Sequence, residues 1–481
     1  MHIAFISLPE HGGYVPTFQL TRRLMALGHR VTYFGPVDFE ERVRSQGFAY
    51  VTLYREDLAK DEMDEDAPPR GLIAALRRMR EQMRRKALRP GSWRALEGVA
   101  DNELAATIRQ HSVDLVLLDG LFDYVVPLVA VSGVPYRMYL TELSGADKRK
   151  APPTFSRVIP GDGALGAVPS TLMWGVQHVR YCARWLRRQS MRLLWENVLG
   201  LGIPGPPKTL MKLVEYRLKD SARRAGLQRH FWEYGWRWWA QADVVLCPGA
   251  FDFPEARGGR RYAGPCIDLE RTDWSFPWDE LEVRRADRRI VLVSLGTHAA
   301  MYGGTTLKFL RKILALASAC PDVFFVVALG KGRTIESVGD APENMMASPF
   351  IPQLGLLQRA SLMITNGGLG TVKECIWFRV PMIVAPCRFD QPGNAARVVR
   401  HGLGRRVDVK RVSVAQLRTE LKACLGDARI EENLAAMSTA FRTSDEQQQW
   451  IDEMLGSLAV GPSGIRSDAA ADHGLQAPQY R

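Results

Sequence analysis

The sequence predicts an α/β protein built from two Rossmann-like domains, each with a parallel sheet, facing each other across a cleft. Three observations carry this. Short apolar runs alternate with amphipathic stretches of helical length along most of the chain, the pattern of βαβ units and hence of parallel sheets. The length, 481 residues, exceeds what one hydrophobic core usually supports. A polar stretch at 271–289, with Pro277 and charges of both signs, splits the alternation into two runs as a linker does. On this reading 1–270 is an N-terminal domain, 290–456 a C-terminal domain and 457–481 a tail. Residues 461–481 have almost no large apolar side chains, so the tail is expected to be disordered.

The elements follow in order. Residues 2–8 are an apolar run bounded by Pro9 and the Gly12-Gly13 turn. Phe18, Leu20, Leu24, Met25 and Leu27 recur at near-helical spacing, and Gly28 suits the left-handed cap that ends a helix. Strand 31–34, helix 39–46 and strand 49–53 continue the alternation. Residues 56–66 are acidic and broken by Pro68-Pro69, a solvated loop. Residues 72–89 form a basic helix with Leu72, Leu76, Met79 and Met83 on one face; it either packs on the domain or lies on a membrane surface. Strand 113–118 ends at Asp119-Gly120, and strand 136–140 follows Ser132-Gly133-Val134-Pro135.

Residues 142–240 are less regular, with Pro/Gly loops, an amphipathic stretch at 171–199 and the aromatics Phe231, Trp232, Tyr234, Trp236, Trp238 and Trp239. Indoles interleaved with arginine line a greasy pocket, sit at a headgroup interface or belong to the core. A strand at 242–247 closes this half. The second half opens with strand 290–294, the turn Leu295-Gly296-Thr297, helix 305–318 and strand 323–328, and ends in a helical segment at 413–456.

Composition narrows the function classes. Apolar residues make up 46% and charged residues 24%, the balance of a folded globular chain. The formal charge is +12, but no zinc-finger, KH or RRM signature accompanies it, so no nucleic-acid partner is expected; an acidic ligand or an anionic membrane surface suits the charge. Seven scattered cysteines without a C-x-x-C pair argue against a disulfide framework or zinc site and suit the cytoplasm. No signal-type or membrane-spanning run is present. A cytoplasmic protein is expected, with peripheral contact at the inner membrane face left open.

Most of the chemistry lies in 348–404. An apolar run at 361–365 ends in Asn366-Gly367-Gly368, with Gly370-Thr371 opening a helical pattern, and a second run at 382–385 leads to Asp390-Gln391. Strand, glycine turn, helix, strand places a helix N-terminus and small backbone against a phosphate. Neither glycine turn is G-x-G-x-x-G after a strand, which disfavours a nicotinamide cofactor.

Five segments carry a family resemblance: Phe350-Ile351-Pro352-Gln353, T-N-G-G-L-G-T-V-K-E, V-P, D-Q-P-G-N-A and, near the N-terminus, P-T-F-Q-L-T-R-R-L-M-A-L-G-H-R-V-T. Through them residues 1–456 resemble the two-domain (GT-B) nucleotide-sugar glycosyltransferases of the UDP-glycosyltransferase superfamily. The nearest branch is the bacterial one that glycosylates macrolides, other natural products and carotenoids. The resemblance implies an inverting, metal-independent hexosyltransferase using a UDP- or TDP-sugar and a hydroxyl of an apolar acceptor, with no cofactor. Phe350 would stack on the base in place of a Trp, and Ile351 would bond its edge through the backbone. Glu374 and Gln353 would hold the ribose. Ser294, Gly296, Thr297, Asn366, Gly367, Gly368, Gly370 and Thr371 would face the diphosphate, and Asp390 and Gln391 the sugar. No metal ligand is implied.

The chain departs from the family twice. Asn366 stands where a His is usual, and Gly13 stands where the family places its general base, three residues before Pro16. His11 is the substitute in the same loop, with Asp119 matching the carboxylate that orients the base; imidazole titrates near neutrality and a carboxylate fixes its tautomer. These departures also raise an alternative: a catalytically impaired auxiliary protein that serves a partner glycosyltransferase. A membrane-surface enzyme acting on a lipid acceptor is a further one.

Overall fold

The computed structural model describes residues 1–53, 103–144, 148–193, 208–232, 235–238, 242–296, 304–330 and 332–459. The predicted basic helix at 72–89, Thr297 and the tail at 461–481 lie outside the described residues.

Two six-stranded sheets form the frame, with strand orders β3-β2-β1-β4-β5-β8 and β11-β10-β9-β12-β13-β14. The first comprises β1 (His2–Ile6), β2 (Arg30–Gly35), β3 (Ala49–Thr52), β4 (Leu115–Asp119), β5 (Tyr136–Leu140) and β8 (Val244–Val245). The second comprises β9 (Arg289–Ser294), β10 (Val323–Ala328), β11 (Met345–Ser348), β12 (Ala360–Thr365), β13 (Met382–Val384) and β14 (Gly404–Arg406). Every pairing within both sheets is parallel. The expected fold is present in both halves. β1 and β4 are buried along their whole length, as central parallel strands with both faces covered must be.

In each sheet the chain order reverses beside the central strand, β1 next to β4 and β9 next to β12. Ligands of such sheets bind beyond the carboxyl ends at this switch point. In the second sheet Ser294 pairs with Thr365 there, so the Leu295-Gly296 and Asn366-Gly367 turns leave the sheet side by side.

Three expectations are refined. The strand expected at 242–247 pairs only through Val244–Val245, because Cys247 turns its N–H back onto Val245 O (2.8 Å) just before Pro248. The helical segment at 413–456 is three helices, Val414–Leu425, Ala428–Thr443 and Glu446–Ala459. A Ser413–Gln416 capping box starts the first and Asp427 caps the second. The third crosses to the N-terminal sheet, where Trp450, Ile451 and Met454 pack with Tyr14, Phe18 and Tyr33. Finally, 271–289 is no bare linker: it contains the helix Trp278–Arg285, with Leu281 buried.

The aromatic cluster begins with a small antiparallel hairpin, β6 (His230–Trp232) with β7 (Gly235–Arg237). Trp236 is exposed and Trp238 packs on the main core beneath Arg229.

The two sheets are joined by a buried ionic contact. Asp252 accepts from Arg397 at 2.7 Å and from Arg260 at 2.6 Å, and the Tyr262 hydroxyl donates to it at 2.9 Å. Burial alone would raise the Asp252 pKa, but Arg397 and Arg260 outweigh it and hold the carboxyl at about 2. Beside this contact, a Cβ on Gly393 would run into the Thr154 carbonyl, so glycine in the D-Q-P-G-N segment lets the two backbones touch.

Candidate active site

The glycine turn behaves as its residue types require. Gly296 (φ +75°) and Gly367 (φ +83°) take left-handed backbone, which glycine adopts without steric cost. Gly368 is the N-cap of the helix Leu369–Trp377 and provides no side-chain cap, so the first-turn N–H groups lack helical partners. Among the described residues, a Cβ on Gly370 would meet nothing within 4 Å. This leaves a helix N-terminus open to an anion. Ser294 stays behind the turn, its Oγ accepting weakly from Gly296 N at 3.4 Å.

Asn366 does not face outward. Its Nδ2 donates to Leu295 O at 2.7 Å and its Oδ1 accepts from Gly368 N at 3.3 Å. The amide ties the two adjacent turns together, which uses one of its two N–H donors within the protein.

Gln353, Thr371 and Glu374 form one cluster. Gln353 Nε2 donates to Glu374 Oε2 at 2.5 Å and reaches Thr371 Oγ1 at 3.2 Å. The other Glu374 oxygen accepts from Arg271 Nη1 at 2.5 Å. Phe350 and Ile351 precede this cluster, Ile351 being buried. The Phe350 ring is stacked on Trp274, centroids 4.6 Å apart and planes 21° from parallel. That spacing is an offset stack with no room for a third ring between them.

Asp390 occupies the N-cap position of the helix Gln391–Arg400 without a side-chain capping bond. Burial raises its carboxyl to about 6, against the hydrogen bond from Asn394. Gln391 supports the loop: its Oε1 accepts from Cys387 N at 2.8 Å and Arg388 N at 3.0 Å.

On the N-terminal side, His11 opens a one-turn helix, His11–Tyr14. Burial, then Arg42 and Arg271, lower its pKa to about 4, so the imidazole is neutral at neutral pH and able to accept a proton. A Cβ at Gly13 would run into the Leu8 carbonyl oxygen, the physical reason position 13 carries no side chain. Asp119 is fully buried. It accepts from Leu8 N at 3.3 Å and Leu121 N at 3.0 Å, and burial pushes it up to about 7 against those two bonds. No hydrogen bond among the described residues joins His11 to Asp119. The structure thus puts Asp119 behind the loop that carries His11, where it braces Leu8.

Sequence reasoning missed Arg42, Arg271 and Trp274. Arg42 donates to Thr272 O at 2.9 Å and lies 3.7 Å from Asp273. The segment R-T-D-W carried a signal, a Trp among charges, but its polarity read as an inter-domain linker.

Residues 310–450 match the glycosyltransferase family 28 C-terminal domain. The oleandomycin glycosyltransferase of Streptomyces antibioticus is 24% identical over 97% of this chain and 97% of its own length. Among solved structures, the glycosyltransferase of kitacinnamycin superposes with TM-score 0.58 at 23% identity, covering 94% of this chain and 98% of its own. The glycosyltransferase VinC, in complex with dTDP, gives TM-score 0.58 at 16% identity, covering 96% of this chain and all (100%) of its own. Those two likenesses concern the fold.

Proposed function

We propose that this chain, which shares the fold of GT-B glycosyltransferase structures and matches the glycosyltransferase family 28 C-terminal domain over residues 310–450, transfers a hexose from a UDP- or TDP-sugar to a hydroxyl of an apolar natural-product acceptor. The reading rests on one observation above all: Gln353, Thr371 and Glu374 share a hydrogen-bonded cluster beside the open helix N-terminus at the carboxyl end of β12. A carboxylate is a natural acceptor for a vicinal diol, and the helix N-terminus suits a diphosphate. The leaving diphosphate is stabilised by these donors and nearby arginines without a metal. Asp390 accepts from the sugar hydroxyls, while Gln391 holds the loop in place.

His11 is the general base in this scheme. Neutral and close to the arginines of the cleft, it takes the acceptor proton as the hydroxyl attacks the anomeric carbon, and the attack inverts the configuration through an oxocarbenium-like state. Asp119 acts through the loop as a positioning residue.

Incubation with UDP- and TDP-glucose and a panel of apolar alcohols, read by released nucleotide and by glycosylated product, tests the proposal. Product with inverted anomeric configuration, unaffected by chelator, is expected. Nucleotide binding with neither transfer nor donor hydrolysis would support the auxiliary-protein reading instead.

Peripheral membrane contact is a second reading, favoured by the helix Ser170–Leu193. It has no acidic residue, carries Arg180, Arg184 and Arg187, and exposes Leu172, Val176, Val179 and Leu186. Basic amphipathic helices of this kind bind anionic surfaces. Among the described residues no helix is long and apolar enough to cross a membrane. Salt-sensitive co-sedimentation with anionic vesicles is expected, and its absence removes the reading.

A further inference from the structure

The segment 271–274 occupies both halves of the proposed nucleoside subsite. Trp274 covers the face of Phe350, and Arg271 fills the Glu374 oxygen that Gln353 leaves free. The segment is held from the N-terminal side. Arg42 donates to Thr272 O at 2.9 Å, and Gln46 Oε1 accepts from Thr272 N at 2.9 Å. Four consecutive residues therefore present a flat aromatic ring and N–H donors where a base and ribose hydroxyls would present the same chemistry.

Arg271 is the informative member. Its side chain keeps only 6% of its exposure and Glu374 keeps 7%, so this is a buried ion pair. Its remaining partner, Asp273, is at the long end of hydrogen-bond distance, 3.4 and 3.5 Å. A ribose that claims Glu374 leaves a buried guanidinium with one weak partner, and an uncompensated buried charge is costly. A diphosphate arriving with the ribose removes that cost, because guanidinium and phosphate pair with matched geometry. Arg271 also lies within electrostatic reach of His11. Asn366, the position from which a donor was expected, gives one of its two amide N–H groups to Leu295 O.

We infer that Arg271 is a donor-discriminating residue: it competes with the ribose for Glu374 and, once displaced, pairs with the diphosphate. The site thereby rejects nucleosides and accepts nucleoside diphosphates. This rests on the donor-site reading above.

The test is calorimetric titration of uridine and UDP, with thymidine and TDP as a second pair, into wild type, Arg271→Gln, Arg271→Lys and Glu374→Ala. Arg271→Gln is expected to bind uridine about tenfold more tightly and UDP about tenfold more weakly, the size of one charge-assisted hydrogen bond in each direction. Arg271→Lys, which keeps the charge, should retain most of the UDP affinity. A loss of both ligands by the same factor in Arg271→Gln, or no change in either, overturns the inference, since a residue that only supports the fold moves both together. Glu374→Ala reports on the underlying reading separately. If it leaves both affinities at wild-type values, or if wild type binds neither UDP nor TDP, the donor-site assignment fails whatever Arg271 does. Melting temperatures of all variants identify any that lose affinity by unfolding.

Discussion

At His11, burial and two arginines set the expected pH behaviour. The base works as neutral imidazole, and its pKa stands at about 4 instead of 6.5. The active fraction therefore stays constant from neutral pH downward and falls only as pH drops through about 4. A pH profile of kcat/KM should show its acid limb there. An acid limb near 7 would assign the essential group to Asp119, whose carboxyl is raised to about 7. His11→Ala should lower turnover by about 10²- to 10⁴-fold, the usual weight of general-base catalysis, with UDP affinity unchanged; wild-type turnover would move the base elsewhere. The motif around Gly13 made the missing His visible in the sequence, but the reason for it, the Leu8 carbonyl against that Cβ, is a contact between loop residues that spacing does not reveal.

At the scale of the element, the glycine turn and the helix Leu369–Trp377 were legible because their requirements are local. Left-handed backbone at Gly367 and an uncapped helix start are written in adjacent residues. Gly370 separates packing from function. Among the described residues nothing crowds its Cβ position, so Gly370→Ala should hold or raise the melting temperature, consistent with about 0.5–1 kcal/mol gained by replacing a helical glycine. On the proposed donor site the added methyl would stand where a phosphate approaches, so UDP affinity should fall while uridine affinity does not. Equal affinities for UDP in variant and wild type would place the phosphate away from this helix. By contrast, 271–289 was legible at this scale only as a polar linker between the halves, without its helix Trp278–Arg285. A run of charges with a proline resembles solvated chain, and only contacts from outside the run turn Arg271 and Trp274 into buried or stacked groups.

For the molecule as a whole, the two sheets are tied by the Asp252 network and by the last helix. Asp252 titrates at about 2 folded against an ordinary 3.8. Its contribution is present above 3.8 and is lost as pH falls from there through 2, so acid weakens the contact. Arg397→Ala leaves Asp252 with Arg260 as its one cationic partner, beside the Tyr262 hydroxyl and the Phe253 N–H. Urea unfolding should show a loss of about 3–5 kcal/mol, the cost of breaking a buried pair from one side; a loss within error would mean Arg260 suffices. The helix Glu446–Ala459 adds a second tie, with Gln447 Nε2 donating to Gln19 Oε1 at 2.7 Å.

The sequence by itself determined the two parallel sheets and the glycine turn at the end of β12, because periodicity and turn chemistry are properties of neighbouring residues; Glu374 and Asp390 became candidates through the family resemblance of the motifs around them. Tertiary structure alone decided that Arg271 meets Glu374 across 103 positions, that Arg397 meets Asp252 across 145, and that the final helix returns to the first sheet. Such pairs are set by how packed elements bring distant surfaces together and by the need to partner a buried charge, and no local pattern encodes either.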